Sequence, residues 1–138
     1  MIRYTNGDIY WGETTVVGTV IYPNGRGLMR FNDGSIYHGE FYMGERYGNG
    51  IQILNGMLYV GMFSCDQFHG RGVLSATRQD GQTTITDGRW DRGVLNGWGS
   101  VLNTTMQRHY EGKFVYGALR GCVTETDMVT GMSWLRMF

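Results

Sequence analysis

Cys65 and His69 stand four residues apart, and a cysteine near a histidine is the pairing that makes a thiolate nucleophile. That chemistry also needs a group to orient the base, and none is evident nearby. The two residues are instead expected to straddle a hairpin turn. His38, His69 and His109 are dispersed along the chain, with neither C-x-x-C nor H-x-x-x-H, so no metal set is expected. Glu125 and Asp127 form an acidic pair, but glycosidase-type carboxylates need a cleft that separates their pKa values. The Gly-x-Gly triplets could be misread as phosphate loops. A phosphate loop requires G-K-[S/T], or a dinucleotide fingerprint between a strand and a helix, and neither context occurs. The expectation is no catalytic residue, no cofactor and no metal: a protein that is not an enzyme.

The elements that carry these residues repeat. Tyr37-His38-Gly39-Glu40-Phe41 recurs as Tyr59-Val60-Gly61-Met62-Phe63 and as Tyr110-Glu111-Gly112-Lys113-Phe114. Tyr10-Trp11-Gly12-Glu13-Thr14 and Thr86-Asp87-Gly88-Arg89-Trp90 are variants, each with one aromatic lost. Nine residues beyond the anchor glycine come Gly48-Asn49-Gly50, Gly70-Arg71-Gly72, Gly97-Trp98-Gly99 and, reduced, Gly121-Cys122-Val123. A further glycine falls five places after the anchor at Gly44, Gly93 and Gly117.

Alternate residues of a strand share a face. Tyr37, Gly39 and Phe41 therefore form one row, and Gly48, Gly50, Gln52 and Leu54 the row of the next strand. Glycine has no Cβ, so a neighbouring ring can lie flat over its backbone. Gly44 supplies a hairpin bend, where positive φ suits glycine. Asn24-Gly25, Asp33-Gly34, Asn55-Gly56 and Asp80-Gly81 are turn dipeptides joining successive hairpins. One two-stranded hairpin is marginal alone, so stability must be shared along a stack. The fold expected is all-β: a single-layer twisted antiparallel sheet of stacked β-hairpins, elongated, grooved and concave on one face. Anchor spacing widens from 22 residues between Gly39 and Gly61 to 27 between Gly61 and Gly88, with the surplus in Ser75 to Ile85. Gly12 to Gly39 is also 27, most of the surplus lying before Gly25. Insertions of this kind map to loops at the edge of a repeat array.

The pattern Y-x-G-x-[FW]-x-x-G-x-x-x-G-x-G, closed by a short strand and a D/N-G turn, resembles the MORN repeat. The resemblance covers about residues 4 to 121, with Tyr37 to Leu58 the best unit. It implies residues 1–121 as an array of about five units, the first and last degenerate, and residues 122–138 as an apolar cap or docking tail. His69 precedes its Gly-x-Gly where the MORN pattern often carries histidine, which implies a structural place for it. The resemblance also implies a non-enzymatic protein-protein interaction scaffold in a eukaryotic cytoskeletal or ciliary assembly; no apolar h-region opens the chain, so a cytoplasmic location is expected, at the cytoskeleton, cilium or flagellum. The alternative it leaves is a membrane phosphoinositide-binding module.

Twelve basic and twelve acidic residues cancel, and Lys113 is the one lysine. Such a chain exerts no general pull on nucleic acid or on an anionic membrane, and its arginines look scattered, without the basic cluster that phosphoinositides require. Glycine (23 residues) and aromatics (14%) suit hairpins rather than helices, and no apolar run is long enough for a membrane helix. A single-layer sheet leaves both faces without a second layer. Tyr37, Phe41, Tyr59, Phe63, Trp90, Trp98, Tyr110 and Phe114 are therefore the candidate partner-binding groove. Met132, Trp134, Leu135 and Phe138 form a candidate docking tail, expected to be buried over the last hairpin or in another subunit.

Overall fold

The computed structural model describes residues 1 to 138. The chain forms twelve strands and no helix: β1 (Ile2–Arg3), β2 (Ile9–Val17), β3 (Val20–Arg30), β4 (Ile36–Tyr42), β5 (Glu45–Leu54), β6 (Met57–Ser64), β7 (Gln67–Thr77), β8 (Thr83–Asp91), β9 (Val94–Asn103), β10 (Arg108–Val115), β11 (Ala118–Asp127) and β12 (Ser133–Met137). They pair antiparallel in chain order into one open sheet with β1 and β12 at its edges.

Hairpins β2–β3, β4–β5, β6–β7, β8–β9 and β10–β11 are structural copies. In β4–β5, Gly39 faces Gly50, and the next pair is Phe41 with Arg46, so one residue of β4 stands against three of β5. The same break follows Gly12, Gly61 and Gly88, and falls between Glu111 and Lys113 in the last copy. Bulges of this kind bend a strand and increase its twist.

The glycines make room for rings. A Cβ on Gly27 or Gly50 would lie 2.5 Å from Cζ of Tyr10 or Tyr37, and one on Gly72 2.6 Å from Cε2 of Tyr59. Each tyrosine thus covers the glycine of the following strand. Its hydroxyl donates into the bulge: Tyr10 to the Glu13 carbonyl (2.5 Å), Tyr37 to Glu40 (2.7 Å), Tyr59 to Met62 (2.8 Å). The phenylalanines alternate with them edge-on, Tyr37 meeting Phe41 at 5.0 Å and Phe63 at 4.9 Å. Such pairs contribute roughly 0.5–1.5 kcal/mol each beyond area burial. In the fourth copy, where Thr86 replaces the tyrosine, Leu95 fills the space over Gly88, and Trp90 Nε1 donates to the Gly72 carbonyl at 3.0 Å.

Turns follow the same economy. Met43-Gly44, Arg92-Gly93 and Tyr116-Gly117 all have positive φ, as a two-residue hairpin turn of matching twist demands. The third hairpin lacks the glycine and uses Cys65-Asp66, with Asp66 at φ 64. Cys65 is the first residue of this turn and His69 lies beyond it on β7. The surplus before Gly25 lengthens the β2–β3 hairpin, pairing Val16 with Ile21 and Val17 with Val20 beyond where the other copies turn. The Ser75 to Ile85 surplus extends β7 and β8 through Thr77 opposite Thr83, leaving a short loop.

The last segment differs from expectation. The sheet crosses residue 121 without a break, because β11 runs to Asp127 and β12 pairs with it. Trp134 faces Glu125 as Tyr59 faces Gln52, so β12 is the opening strand of a sixth, incomplete copy, with Arg136 at the anchor-glycine position. Met132 to Phe138 do not fold over the last hairpin of the chain itself, the first of the two expected burials. Leu135 and Met137 are 71% and 77% exposed, and Met132, Trp134 and Phe138 are exposed too. The reason is that β11 already pairs with β12 and nothing lies beyond it.

Candidate functional site

The eight rings nominated as a groove fall into two groups. Tyr37, Phe41, Tyr59, Phe63, Trp90 and Phe114 are buried, covered by one another along a single face. They are core residues and present no surface to a partner; the expectation of an open groove is corrected for these six. Stacking of every copy in register supplies the cover that a second layer would otherwise give. Tyr110 is half-buried, its ring centroid 6.3 Å from that of Phe138. Trp98 lies 66% exposed, on the other face of the sheet.

That other face is open. Register aligns one residue per strand into a row running from Trp11 through Leu28, His38, Ile51, Val60 and Val73. A parallel row holds Ile36, Ile53 and Leu58. Ile51, Ile53, Leu58, Val60 and Met62 are exposed side by side on β5 and β6, flanked by half-buried Ile36 and Val73, while Trp11 is exposed on β2 with Leu28 and His38 between. An exposed apolar cluster of this kind marks an interaction surface. The sequence signal was available: Ile51 and Ile53 of β5 and Leu58, Val60 and Met62 of β6 alternate out of phase with the tyrosines.

On the aromatic face one polar group interrupts the rings. Arg46 lies over the Phe31 and Phe63 rings at 5.4 and 5.7 Å. Its Nη1 donates to Gln52 (2.8 Å), its Nε to the Asp66 carboxylate (3.1 Å) and its Nη2 to the Asp66 carbonyl (2.7 Å). A cleft of about 420 Å³ opens beside it under the long β2–β3 hairpin, lined by Val20, Ile21, Tyr22, Met29, Phe31 and Met43 among others. Every donor of Arg46 named here is engaged within the chain, which makes it a clamp between hairpins rather than a free ligand group.

Two of the tyrosine hydroxyls with displaced pKa values belong to the core. Burial pushes the Tyr59 hydroxyl up to about 12, and burial raises Tyr37 further still. Asp127 is held low by the backbone N–H groups of Val129 and Thr130. His69 accepts the Arg92 amide at 3.4 Å, bridging to the next turn, a structural place. No group of three His, Cys, Asp or Glu is close enough to hold a metal ion. No helix is long and apolar enough to cross a membrane. Compared with known proteins, the chain matches no family model and no curated protein. The class that the fold defines is an all-β array of repeated hairpins in one open sheet.

Proposed function

We propose that this chain is a non-enzymatic interaction scaffold that binds a protein partner on the face opposite its aromatic spine. The observation that carries this is the exposed aliphatic cluster of Ile51, Ile53, Leu58, Val60 and Met62 on adjacent strands of a sheet with no second layer. Water-exposed apolar area of that extent disfavours the isolated state, and a partner that covers it gains that free energy. The aromatic spine serves the function by holding the sheet rigid. The resemblance to MORN arrays supports placing the scaffold in a cytoskeletal or ciliary assembly.

The test is to capture partners with the tagged protein from a cell extract, beside Ile53→Lys combined with Val60→Lys. Both side chains are exposed and paired only across the sheet surface, so the variant keeps its circular dichroism spectrum and melting temperature. The species retained stoichiometrically by the native protein is lost from the variant. Equal retention by both overturns the proposal.

A further inference from the structure

The second half of the same face carries charge. Arg71 of β7 stands directly opposite Arg89 of β8. Trp98 of β9 stands opposite Lys113 of β10, and Lys113 opposite Arg120 of β11. All five side chains are exposed. Register thus pairs Arg71 with Arg89 and lines up Trp98, Lys113 and Arg120, and the two groups adjoin at the β8 bulge, where Gly88 faces Gly99 beside them. The ion pairs of the chain involve other residues, so no carboxylate lies within 4.0 Å of these four cations.

Folding alone does not favour this arrangement. Like charges directly opposite in an antiparallel pair are destabilising, and the row contains two such pairs, Arg71 with Arg89 and Lys113 with Arg120. The first two copies show which group suits the position. There the residue after the anchor glycine is a glutamate, and it accepts the amide of the middle residue of the facing Gly-x-Gly: Glu13 from Arg26 at 2.8 Å, Glu40 from Asn49 at 2.7 Å. In the later copies the same position is Met62, Arg89 and Lys113, and no carboxylate of the chain fills it.

We propose that the row Arg71, Arg89, Trp98, Lys113 and Arg120 binds an acidic segment of a partner protein. Its carboxylates lie against the four cations, and an apolar side chain lies on the Trp98 indole. The inference rests on the protein-binding role proposed above and adds the chemistry of the partner. Five strands at about 4.8 Å span roughly 19 Å, the reach of about six extended residues. The row is one residue wide. Asp87, Ser100 and Glu111 run beside it, directly opposite one another and two positions along β8, β9 and β10. A broad anionic surface, whether bilayer or nucleic-acid backbone, would press against Asp87 and Glu111 as well. A narrow segment follows the cations and leaves those carboxylates at its flank, which favours a peptide.

The probe is a fluorescein-labelled glutamate peptide of about eight residues with one central leucine, titrated against the full chain and followed by anisotropy. Saturable binding that weakens as salt rises is expected, because exposed charge pairs are screened. Arg89→Glu combined with Lys113→Glu weakens it at least tenfold. The same charge-row change at Arg26, outside the proposed row, leaves it unaltered, as does Ile53→Lys with Val60→Lys. Arg89→Glu also raises the melting temperature by relieving the contact with Arg71, so lost binding cannot be ascribed to lost fold. Three results overturn the proposal: no saturable binding by the native chain, equal binding by the doubly reversed variant, or flotation with phosphatidylserine vesicles while the peptide does not bind. Failure of the peptide alongside intact partner capture, lost on changing Ile53 and Val60, rejects the acidic segment and leaves the aliphatic face standing.

Discussion

Gly50→Ala adds one methyl group at a backbone conformation that alanine adopts freely, yet it should be among the most disruptive small changes in the chain. The new Cβ would fall 2.5 Å from Tyr37 Cζ, and the ring has to leave. Tyr37 is fully buried, bonded through its hydroxyl to the Glu40 carbonyl at 2.7 Å and packed edge-on against Phe41 and Phe63. Overpacking costs about 1–3 kcal/mol, the hydrogen bond contributes about 1, and the aromatic pairs roughly 0.5–1.5 each. Alanine recovers about 0.5–1 kcal/mol over glycine in a strand. The net is a destabilisation of about 2 kcal/mol or more, at least about 7 °C in melting temperature for a domain of this size. Urea and thermal unfolding of Gly50→Ala, Tyr37→Leu and the double variant give the coupling between the two sites. With the ring absent, Gly50→Ala should cease to destabilise and instead add about 0.5–1 kcal/mol. A single-variant destabilisation below about 0.5 kcal/mol, or strict additivity of the pair, refutes the fit of ring to glycine.

At Gly61 the obstacle is backbone, since a Cβ would lie 2.6 Å from the Arg71 carbonyl oxygen. Gly61→Val should therefore lose about 2 kcal/mol or more, whereas Arg78→Ala in the β7–β8 loop stays within about 0.5 kcal/mol by chemical denaturation. Tyr59 and Tyr37 hold their protons more tightly when folded, so the stability they contribute is complete below pH 10, their unfolded value. It is lost as pH rises, for Tyr59 through about 12. Tyrosinate absorbance and circular dichroism should change together in that window, and ionisation of every tyrosine near pH 10 without loss of structure would contradict it. Deleting Ser133 to Phe138 removes the Arg136 bond to Glu125 (2.8 Å) and uncovers the β11 edge, so light scattering should report aggregation and the melting temperature should fall. A truncated chain as soluble and stable as the full one would show that β12 contributes nothing.

The hairpins were legible because their signals are local. Gly44 announces its turn and Asn55-Gly56 the next, and Tyr37, Gly39 and Phe41 announce a common face by alternation alone. The bulge was not legible, since no residue type marks where one strand gains two positions on its partner. The sixth copy was masked by substitution. Trp134 stands for tyrosine and Arg136 for glycine, although Arg136 lies 24 residues beyond Gly112, the same step that separates Gly112 from Gly88. The buried state of the rings depended on how each copy covers the next, so Tyr37 and Trp98 looked alike in sequence and lie on opposite faces. The basic row is the clearest case of information carried by register. Arg71 and Arg89 lie in a different part of the chain from Lys113 and Arg120, and the two pairs come onto one face only once β8 and β9 are paired.

The central claim is that the face opposite the aromatic spine is where a partner docks, and site-specific photo-crosslinking tests it most directly. A benzophenone side chain is placed in turn at Val60 and Trp98 on the open face, and at Phe31 on the aromatic face, in the full chain expressed in its own cells. The account predicts adducts to the same protein from Val60 and from Trp98, and none from Phe31. Adducts from Phe31 alone would place the partner on the aromatic face and contradict it.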